Sequence, residues 1–290
     1  MVTATRYKTP AANRGYASLI YFNYMDGPST QFFQDTLKLA KFMDGYDCKV
    51  LLKDQSTPSW LDLSEKDEKT ADIMLPATKT NFFKQLIALA NDGLAIDLFI
   101  FSHGWKSGFG GNSKVDEKWI TNADITSRLA PAETGLSCMP IRAQWGTDCE
   151  GSTRNALWTG VGAVAASGSR AVNFYPNGAG NFISDWNKGN VSFERAVRDA
   201  DTDLVRTAVQ TYISLVDAPA KKKADKWCGC PLLKTVLGDD PCAKEYFKKC
   251  WALGDDWQQG KSGKEMMNYS SFKLIDGDKG ITKNSRPKWG

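Results

Sequence analysis

Histidine is nearly absent from this sequence, since His103 is the only one among 290 residues. Long apolar runs are absent as well: none approaches the roughly 18 residues that a membrane-spanning helix needs, so we expect no membrane partner. Residues 1–15 contain no apolar core of the kind that a signal peptide has. This absence leads us to expect a cytoplasmic protein.

A strong excess of charge of one sign is also missing. The formal net charge is +4, and the fractions of charged residues (24%) and hydrophobic residues (42%) are ordinary for a globular chain. The densest basic run, Lys221, Lys222 and Lys223, lies beside Pro219, which favours a solvated loop over a patch that binds nucleic acid. We therefore expect no nucleic-acid partner.

The cysteines match neither a complete disulfide framework nor a familiar metal site. There are seven of them, an odd number that favours reduced thiols. Four cluster late in the chain: Cys228, Cys230, Cys242 and Cys250. Their spacing is not a familiar zinc pattern and no histidine lies nearby, so free thiols or a local disulfide are favoured over structural zinc. The sequence predicts no cofactor.

Apolar periodicity predicts an alternation of strands and helices. Short apolar runs predict strands over residues 16–23, 46–53, 96–105, 139–149 and 163–175. Apolar stripes at helical spacing predict helices that carry Phe33, Leu37 and Ala40; Phe83, Leu86, Ile87 and Ala90; and Phe193, Ala196, Val197, Ala200 and Leu204. Two further helices are predicted over residues 152–163 and 179–189. The order predicts an α/β fold, a three-layer α/β/α sandwich around a mainly parallel sheet of about six strands.

Two long segments lack clear periodicity and are predicted to be loops. Residues 54–78 are polar and are interrupted by prolines. Residues 105–137 are predicted to form a long loop with a short helix, and such loops in compact domains are usually functional or disordered. The glycine-rich stretch 104–113 is therefore predicted to be mobile and to gate the neighbouring site, because a glycine backbone rearranges easily.

Two successive predicted strands end in chemically reactive residues. His103 and Gly104 follow the apolar run 98–101, and Cys149 follows Asp148 at the end of the next predicted strand. Because the carboxyl ends of parallel strands meet at one edge of a sheet, we expect the imidazole and the thiol in one crevice. A nearby imidazole lowers the pKa of a thiol and protonates a leaving amine. The N–H groups of Gly104 and Cys149 are expected to form an oxyanion hole.

This ordered pair resembles the caspase, metacaspase, legumain and gingipain group of cysteine peptidases. In that group a strand ending in His-Gly precedes a strand ending in the nucleophile, and the stretch CEGS at 149–152 fits the Cys-x-Gly part of its motif. Residues 162–200 are similar to the segment that follows the nucleophile in bacterial caspase-like peptidases. The resemblance implies a peptide or protein substrate and a Cys149–His103 dyad without a third orienting residue. It supports a peptidase domain over residues 1–217, with residues 218–290 as an extension packed on it.

The positions around the nucleophile bear on substrate preference. Members of the group that cut after Arg or Lys tend to carry an acid two residues before the cysteine, where this chain has Thr147. Side chains alternate along a strand, so Asp148 is expected to point away from the pocket that Thr147 lines. Caspases, which cut after Asp, use arginines in that pocket. Arg142 and Arg170 are the strand-borne candidates here, and the alternative for each is a solvent-facing arginine.

Other functions remain open from the sequence. A caspase-like domain without activity could serve as a binding or scaffold module, although retention of both His103 and Cys149 favours an active enzyme. The stretch SHGW at 102–105 also resembles the oxyanion segment of lipases, but the chain lacks the Gly-x-Ser-x-Gly motif and the late histidine of an α/β-hydrolase. A redox role is disfavoured because no Cys-x-x-Cys motif is present. The alternative for His103 is a structural role, as a hydrogen-bonded residue in the turn that follows a strand.

Overall fold

The computed structural model describes residues 14–23, 39–53, 70–110, 119–169, 178–201, 273–287 and 289. The four clustered cysteines, the basic run and Arg170 lie outside these ranges, so the predictions made for them stay predictions. Within the described ranges, no helix is both long enough and apolar enough to cross a membrane.

A large mixed sheet forms the centre of the structure. Its strands are β1 (Tyr16–Asn23), β2 (Cys48–Lys53), β3 (Ile73–Pro76), β4 (Ala95–Trp105), β5 (Gly108–Gly110), β6 (Trp119–Thr121), β7 (Ile141–Gly146), β8 (Ala165–Ser169) and β9 (Lys273–Gly277). The main path is β3-β2-β1-β4-β7-β8-β9, and β5 and β6 extend from β4 as antiparallel neighbours. Pairing is parallel from β3 through β8, and only β9 at the edge of this path is antiparallel. The predicted mainly parallel α/β sheet is confirmed.

Helices cover both faces of this sheet. They are α1 (Leu39–Met43), α2 (Lys79–Asn91), α3 (Asn122–Arg128), α4 (Pro131–Thr134), α5 (Asn155–Gly160), α6 (Gly178–Trp186) and α7, described over 193–201. Alternate residues of β1 belong to two separate cores: Leu19 and Tyr21 face α2, α3 and α5, whereas Ile20 and Phe22 face α1, α6 and α7. Because strand side chains alternate between faces, this division produces the expected three layers.

The helix α2 illustrates why local sequence specifies these elements. The Thr78 side chain accepts a hydrogen bond from the N–H of Asn81 (3.2 Å), which satisfies a donor at the start of the helix. Phe83, Leu86 and Ala90 are buried, as the stripe predicts. The chain leaves the helix through Gly93, whose φ of +79° favours glycine.

The predicted loop over 54–78 contains a strand. Residues Ile73–Pro76 pair in parallel with β2 at the edge of the sheet. The sequence pattern missed β3 because it is short and ends in proline, which a central strand excludes but an edge strand tolerates.

The predicted loop over 105–137 is also largely structured. Gly108–Gly110 pairs with β4 on one side and β6 on the other, and α3 and α4 follow. A Cβ on Gly108 would lie only 2.3 Å from the carbonyl oxygen of Ile120, so this glycine allows close strand contact. The predicted loop is therefore wrong for residues 104–110, which form paired strands and a turn; that this stretch is mobile and gates the site stays a prediction, and residues 111–118 are not described.

The strand β9 shows how the end of the chain joins the main sheet. Lys273 pairs with Ser169 and Gly277 pairs with Ala165, so β9 covers the outer edge of β8. The division into domains at residue 217 stays a prediction, but Lys273–Gly277 belongs to the same sheet as β1–β8.

Candidate active site

The strands that carry His103 and lead to Cys149 are direct neighbours. Leu98 of β4 pairs with Gln144 of β7, and Ile100 pairs with Gly146, in parallel register. The N–H of Thr147 continues this ladder by donating to the carbonyl oxygen of Ile100 (2.9 Å). The expected adjacency is confirmed, although β7 ends at Gly146 and not at residue 149.

Gly104 is the point at which the two segments touch. A Cβ at this position would lie 2.6 Å from the carbonyl oxygen of Cys149, 2.9 Å from Cβ of Asp148 and 3.1 Å from the amide nitrogen of Cys149. Any larger residue would force one backbone away from the other. The structure thus brings the predicted residues His103, Gly104 and Cys149 to one edge of the sheet, and both reactive residues are half-buried.

His103 lies within β4, which continues two residues beyond it, to Trp105. It pairs with Gly110 of β5, and its carbonyl oxygen accepts a hydrogen bond from the hydroxyl of Ser102 (3.0 Å). By strand alternation it shares the face of Phe101 and Phe99, which pack toward α1 and α6. A paired strand therefore fixes the backbone that carries the imidazole.

Cys149 lies at the start of a sharp turn and is not part of a disulfide among the described residues. The next residue, Glu150, has a φ of +54°, and among the described residues it is the only non-glycine with positive φ. Its carboxylate accepts the N–H of Lys106 (2.9 Å), and its carbonyl accepts the hydroxyl of Thr153 (2.8 Å). Such backbone strain persists where surrounding contacts hold it, and it is common at functional sites.

Asp148 is directed into the protein interior. It is 1% exposed, and one carboxylate oxygen forms an ion pair with the guanidinium of Arg154. Cβ atoms on Gly146 and Gly151 would lie 2.4 Å and 2.9 Å from the carboxylate oxygens, so these glycines make room for it. The carboxylate is thereby engaged inside the protein, as a side chain that points away from a substrate pocket would be. Thr147, the residue predicted to line that pocket, is also buried, and a role of either residue in substrate binding stays a prediction.

Arg154 is the main residue of this region that the sequence analysis missed. It is 1% exposed and lies at the end of a short 3-10 helix (Gly151–Arg154). Besides Asp148, it donates to the carbonyl oxygen of Trp105 (2.5 Å) and, at 3.5 Å, to that of Cys149. One signal was available: a buried carboxylate needs a cation, and Arg154 is the first basic residue after Asp148.

Arg142 does not contribute to this edge. It lies near the start of β7, fully buried, with two nitrogens 2.8 Å and 2.5 Å from the carboxylate oxygens of Asp97. Tyr46 and Trp186 also donate to Asp97, and burial, together with this carboxylate, raises the pKa of Tyr46 well above its ordinary value. Neither the pocket role nor the solvent-facing alternative holds for Arg142, because Asp97 binds it inside the protein.

A second buried polar cluster lies at the carboxyl end of β8, where β8 meets β9 and α7. Lys273 of β9 pairs with Ser169 of β8, and its ammonium group lies 4.9 Å from the centre of the Trp145 ring. Asp201 accepts the backbone N–H of Lys273 (3.1 Å) and pairs with Arg198 (3.3 Å). Burial raises the pKa of Asp201 to about 6, against the opposing effect of both cations. No sequence signal joins residues so far apart.

Three buried polar atoms at or near this cluster have no hydrogen-bond partner among the described residues. The hydroxyls of Ser167 and Ser169 and one oxygen of Asp201 are buried without a hydrogen bond. Within the described part of the chain, no group of three or more His, Cys, Asp or Glu side chains could hold a metal ion. The reactive groups that the described residues bring to this edge of the sheet are the thiol of Cys149 and the imidazole of His103.

Comparison with known proteins adds no family to these observations. No family model matches the chain, and no curated protein matches it.

Proposed function

We propose that this protein is a cysteine endopeptidase in which Cys149 is the nucleophile and His103 handles the proton. The observation that carries the proposal is the contact between Gly104 and the backbone of Cys149, where a Cβ would lie 2.6 Å from a carbonyl oxygen. This contact keeps the histidine-bearing strand and the thiol-bearing turn side by side. A nucleophile and a base held in that way are the minimum apparatus for acyl transfer.

In the first half of the reaction, the thiolate of Cys149 attacks the carbonyl carbon of the scissile peptide. The C–N bond then breaks, and the imidazolium of His103 gives its proton to the departing amine. The product is a thioester between Cys149 and the acyl part of the substrate. In the second half, His103 takes a proton from water, the resulting hydroxide attacks the thioester, and the thiol is released with a carboxylic acid.

Both halves pass through a tetrahedral intermediate with a negatively charged oxygen. The N–H groups of Gly104 and Cys149 are the proposed donors to this oxygen. Backbone donors suit this role because they are fixed before the reaction, and loss of one such donor typically lowers kcat by about 10²–10³-fold. The absence of a Cβ at Gly104 lets the backbone of Cys149 lie directly against the first donor residue.

The experiment that tests the proposal is incubation of the wild-type protein with a peptide library, read by mass spectrometry. We expect cleavage products that disappear in Cys149→Ala. The matched control is Cys138→Ala, which removes another half-buried cysteine that is not in a disulfide and should retain cleavage.

Two results would contradict the proposal. Cleavage that survives in Cys149→Ala would assign the activity to other residues. A folded wild-type protein that cleaves no peptide, but captures intact peptides or proteins equally well with either residue at position 149, would favour a caspase-like binding module without activity.

A further inference from the structure

The guanidinium of Arg154 joins the two segments that carry the proposed oxyanion donors. One nitrogen donates to the carbonyl oxygen of Trp105, the residue after Gly104. The other nitrogen pairs with Asp148 and lies 3.5 Å from the carbonyl oxygen of Cys149. One buried side chain thus contacts the residue after the first donor residue, the second donor residue Cys149 and the residue before it.

The surroundings of Arg154 hold this side chain in one arrangement. Its charge is balanced by the buried carboxylate of Asp148, and its guanidinium carbon lies 5.7 Å from the centre of the Phe109 ring. Gly151 and Gly168 approach each other so closely that a Cβ on Gly168 would lie 2.2 Å from the carbonyl carbon of Gly151. The short helix that carries Arg154 is therefore packed tightly against β8.

We propose that Arg154 is a positioning residue of the oxyanion hole, an inference that rests on the peptidase function proposed above. It sets the spacing between the N–H groups of Gly104 and Cys149 by binding the backbone on both sides. Arginine suits this task because its planar fork presents several donors at fixed angles, whereas a lysine ammonium is a single flexible point charge. The proposal predicts a defect in transition-state binding that is larger than any defect in thiol reactivity.

The test compares Arg154→Lys with the wild type in four measurements. These are kcat and KM for the best peptide, the affinity of a peptide aldehyde of the same sequence, the rate at which iodoacetamide alkylates Cys149, and the melting temperature. The aldehyde forms a tetrahedral adduct whose oxygen needs the hole. Iodoacetamide loses iodide to the thiolate and uses no oxyanion donor.

The expected result is selective. In Arg154→Lys, kcat should fall about 10²-fold and the aldehyde should bind weaker by a similar factor. KM and the alkylation rate should stay within about threefold of the wild type, because substrate binding and the thiolate are retained.

The matched control is Arg142→Lys. Arg142 is an equally buried arginine that pairs with Asp97 and joins the same two strands far from Cys149. The variant Arg142→Lys should lower the melting temperature as much as Arg154→Lys does, because each change disturbs a buried ion pair. Its kcat and its affinity for the aldehyde should stay close to the wild-type values.

Three outcomes would overturn the inference. The first is unchanged kcat and aldehyde affinity in Arg154→Lys. The second is an equal loss of alkylation rate and turnover, which would mark Arg154 as merely structural. The third is a wild-type protein that neither cleaves peptides nor binds the aldehyde, which overturns the peptidase function and this inference with it.

A second variant keeps the test decisive if Arg154→Lys does not fold. Asp148→Asn keeps the shape of the side chain and an acceptor oxygen, and it leaves Arg154 its bonds to the backbone of Trp105 and Cys149. We expect kcat to fall about tenfold with KM unchanged, since the interaction between residue 148 and Arg154 is weakened and not removed. An unchanged kcat in this variant would also count against the proposal.

Discussion

At the scale of single residues, His103 combines a half-buried side chain with a paired backbone. Phe101, two residues earlier on the same strand, is fully buried and packs against Phe42 and Trp145. On this one strand, Phe101 therefore stabilises the core, and His103 carries the proposed chemistry. Removal of the ring should affect the chemistry and leave the core intact.

The variant His103→Ala tests this division. We expect kcat to fall by about 10²–10⁴-fold, the range typical of acid–base groups, with no change in secondary structure. Peptide hydrolysis and far-UV circular dichroism should be measured on the same sample. Hydrolysis close to the wild-type rate would exclude the dyad, and an unfolded variant would assign His103 a structural role.

At the scale of elements, the site is made by two segments of different kinds. β4 continues past His103 into a hairpin with β5, and β7 ends early and turns into the short helix that precedes α5. They can touch only where a side chain is missing, which is why Gly104 faces the backbone of Cys149. Their contact is backbone to backbone, so its geometry should be sensitive to a single methyl group.

The pair Gly104→Ala and Gly160→Ala measures that sensitivity. A methyl group on Gly104 would lie 2.6 Å from a carbonyl oxygen, so the Cys149 segment must move and kcat should fall at least about tenfold. A methyl group on Gly160 meets no atom within 4 Å and lies in α5, where alanine should maintain or slightly raise the free energy of unfolding. The assay is kcat together with urea unfolding of both variants. Equal activity of the two would show that the contact does not set the geometry of the site.

Sequence patterns anticipated the elements unequally, for a physical reason. Residues 16–23 form β1 with the predicted bounds, because a buried parallel strand is a continuous apolar run that can be recognised locally. The hairpin strands β5 and β6 are three residues each, and β5 is mostly glycine. β5 is held by pairing with β4 on one side and β6 on the other, and not by its own composition, so the glycine-rich stretch resembled a loop.

At the scale of the whole molecule, β9 brings a buried charge cluster to the edge of the sheet. Asp201 of α7 is flanked by Lys273 of β9 and Arg198 of its own helix. Burial raises its pKa in the folded protein to about 6, from the ordinary value of 3.8. The folded state therefore holds this proton more tightly than the unfolded chain does. As the pH rises from about 4 through 6, the free energy of unfolding should fall.

The variant Asp201→Asn should remove that pH dependence. The wild type is expected to lose up to about 3 kcal/mol of stability from this group between pH 4 and 7, since each pKa unit corresponds to about 1.4 kcal/mol. Urea unfolding across this pH range should show a smaller decline in Asp201→Asn and a higher stability than the wild type at pH 7. Asp276→Asn, at an exposed position of β9, is the control and should leave the profile unchanged. Parallel profiles of wild type and Asp201→Asn would contradict the assignment.

The sequence by itself determined the alternation of strands and helices and the neighbouring positions of the two strands that lead to His103 and Cys149. These features follow from local apolar periodicity and from the rule that parallel strands end at one edge. The tertiary structure alone decided which carboxylate each buried arginine pairs with. Arg142 pairs with Asp97, at a distance from Cys149, and Arg154 pairs with Asp148, the residue next to Cys149. It also decided that Lys273 reaches Trp145 across the sheet. A buried charge takes the partner that the packed fold brings within reach, and that partner depends on contacts between distant segments that no local pattern records.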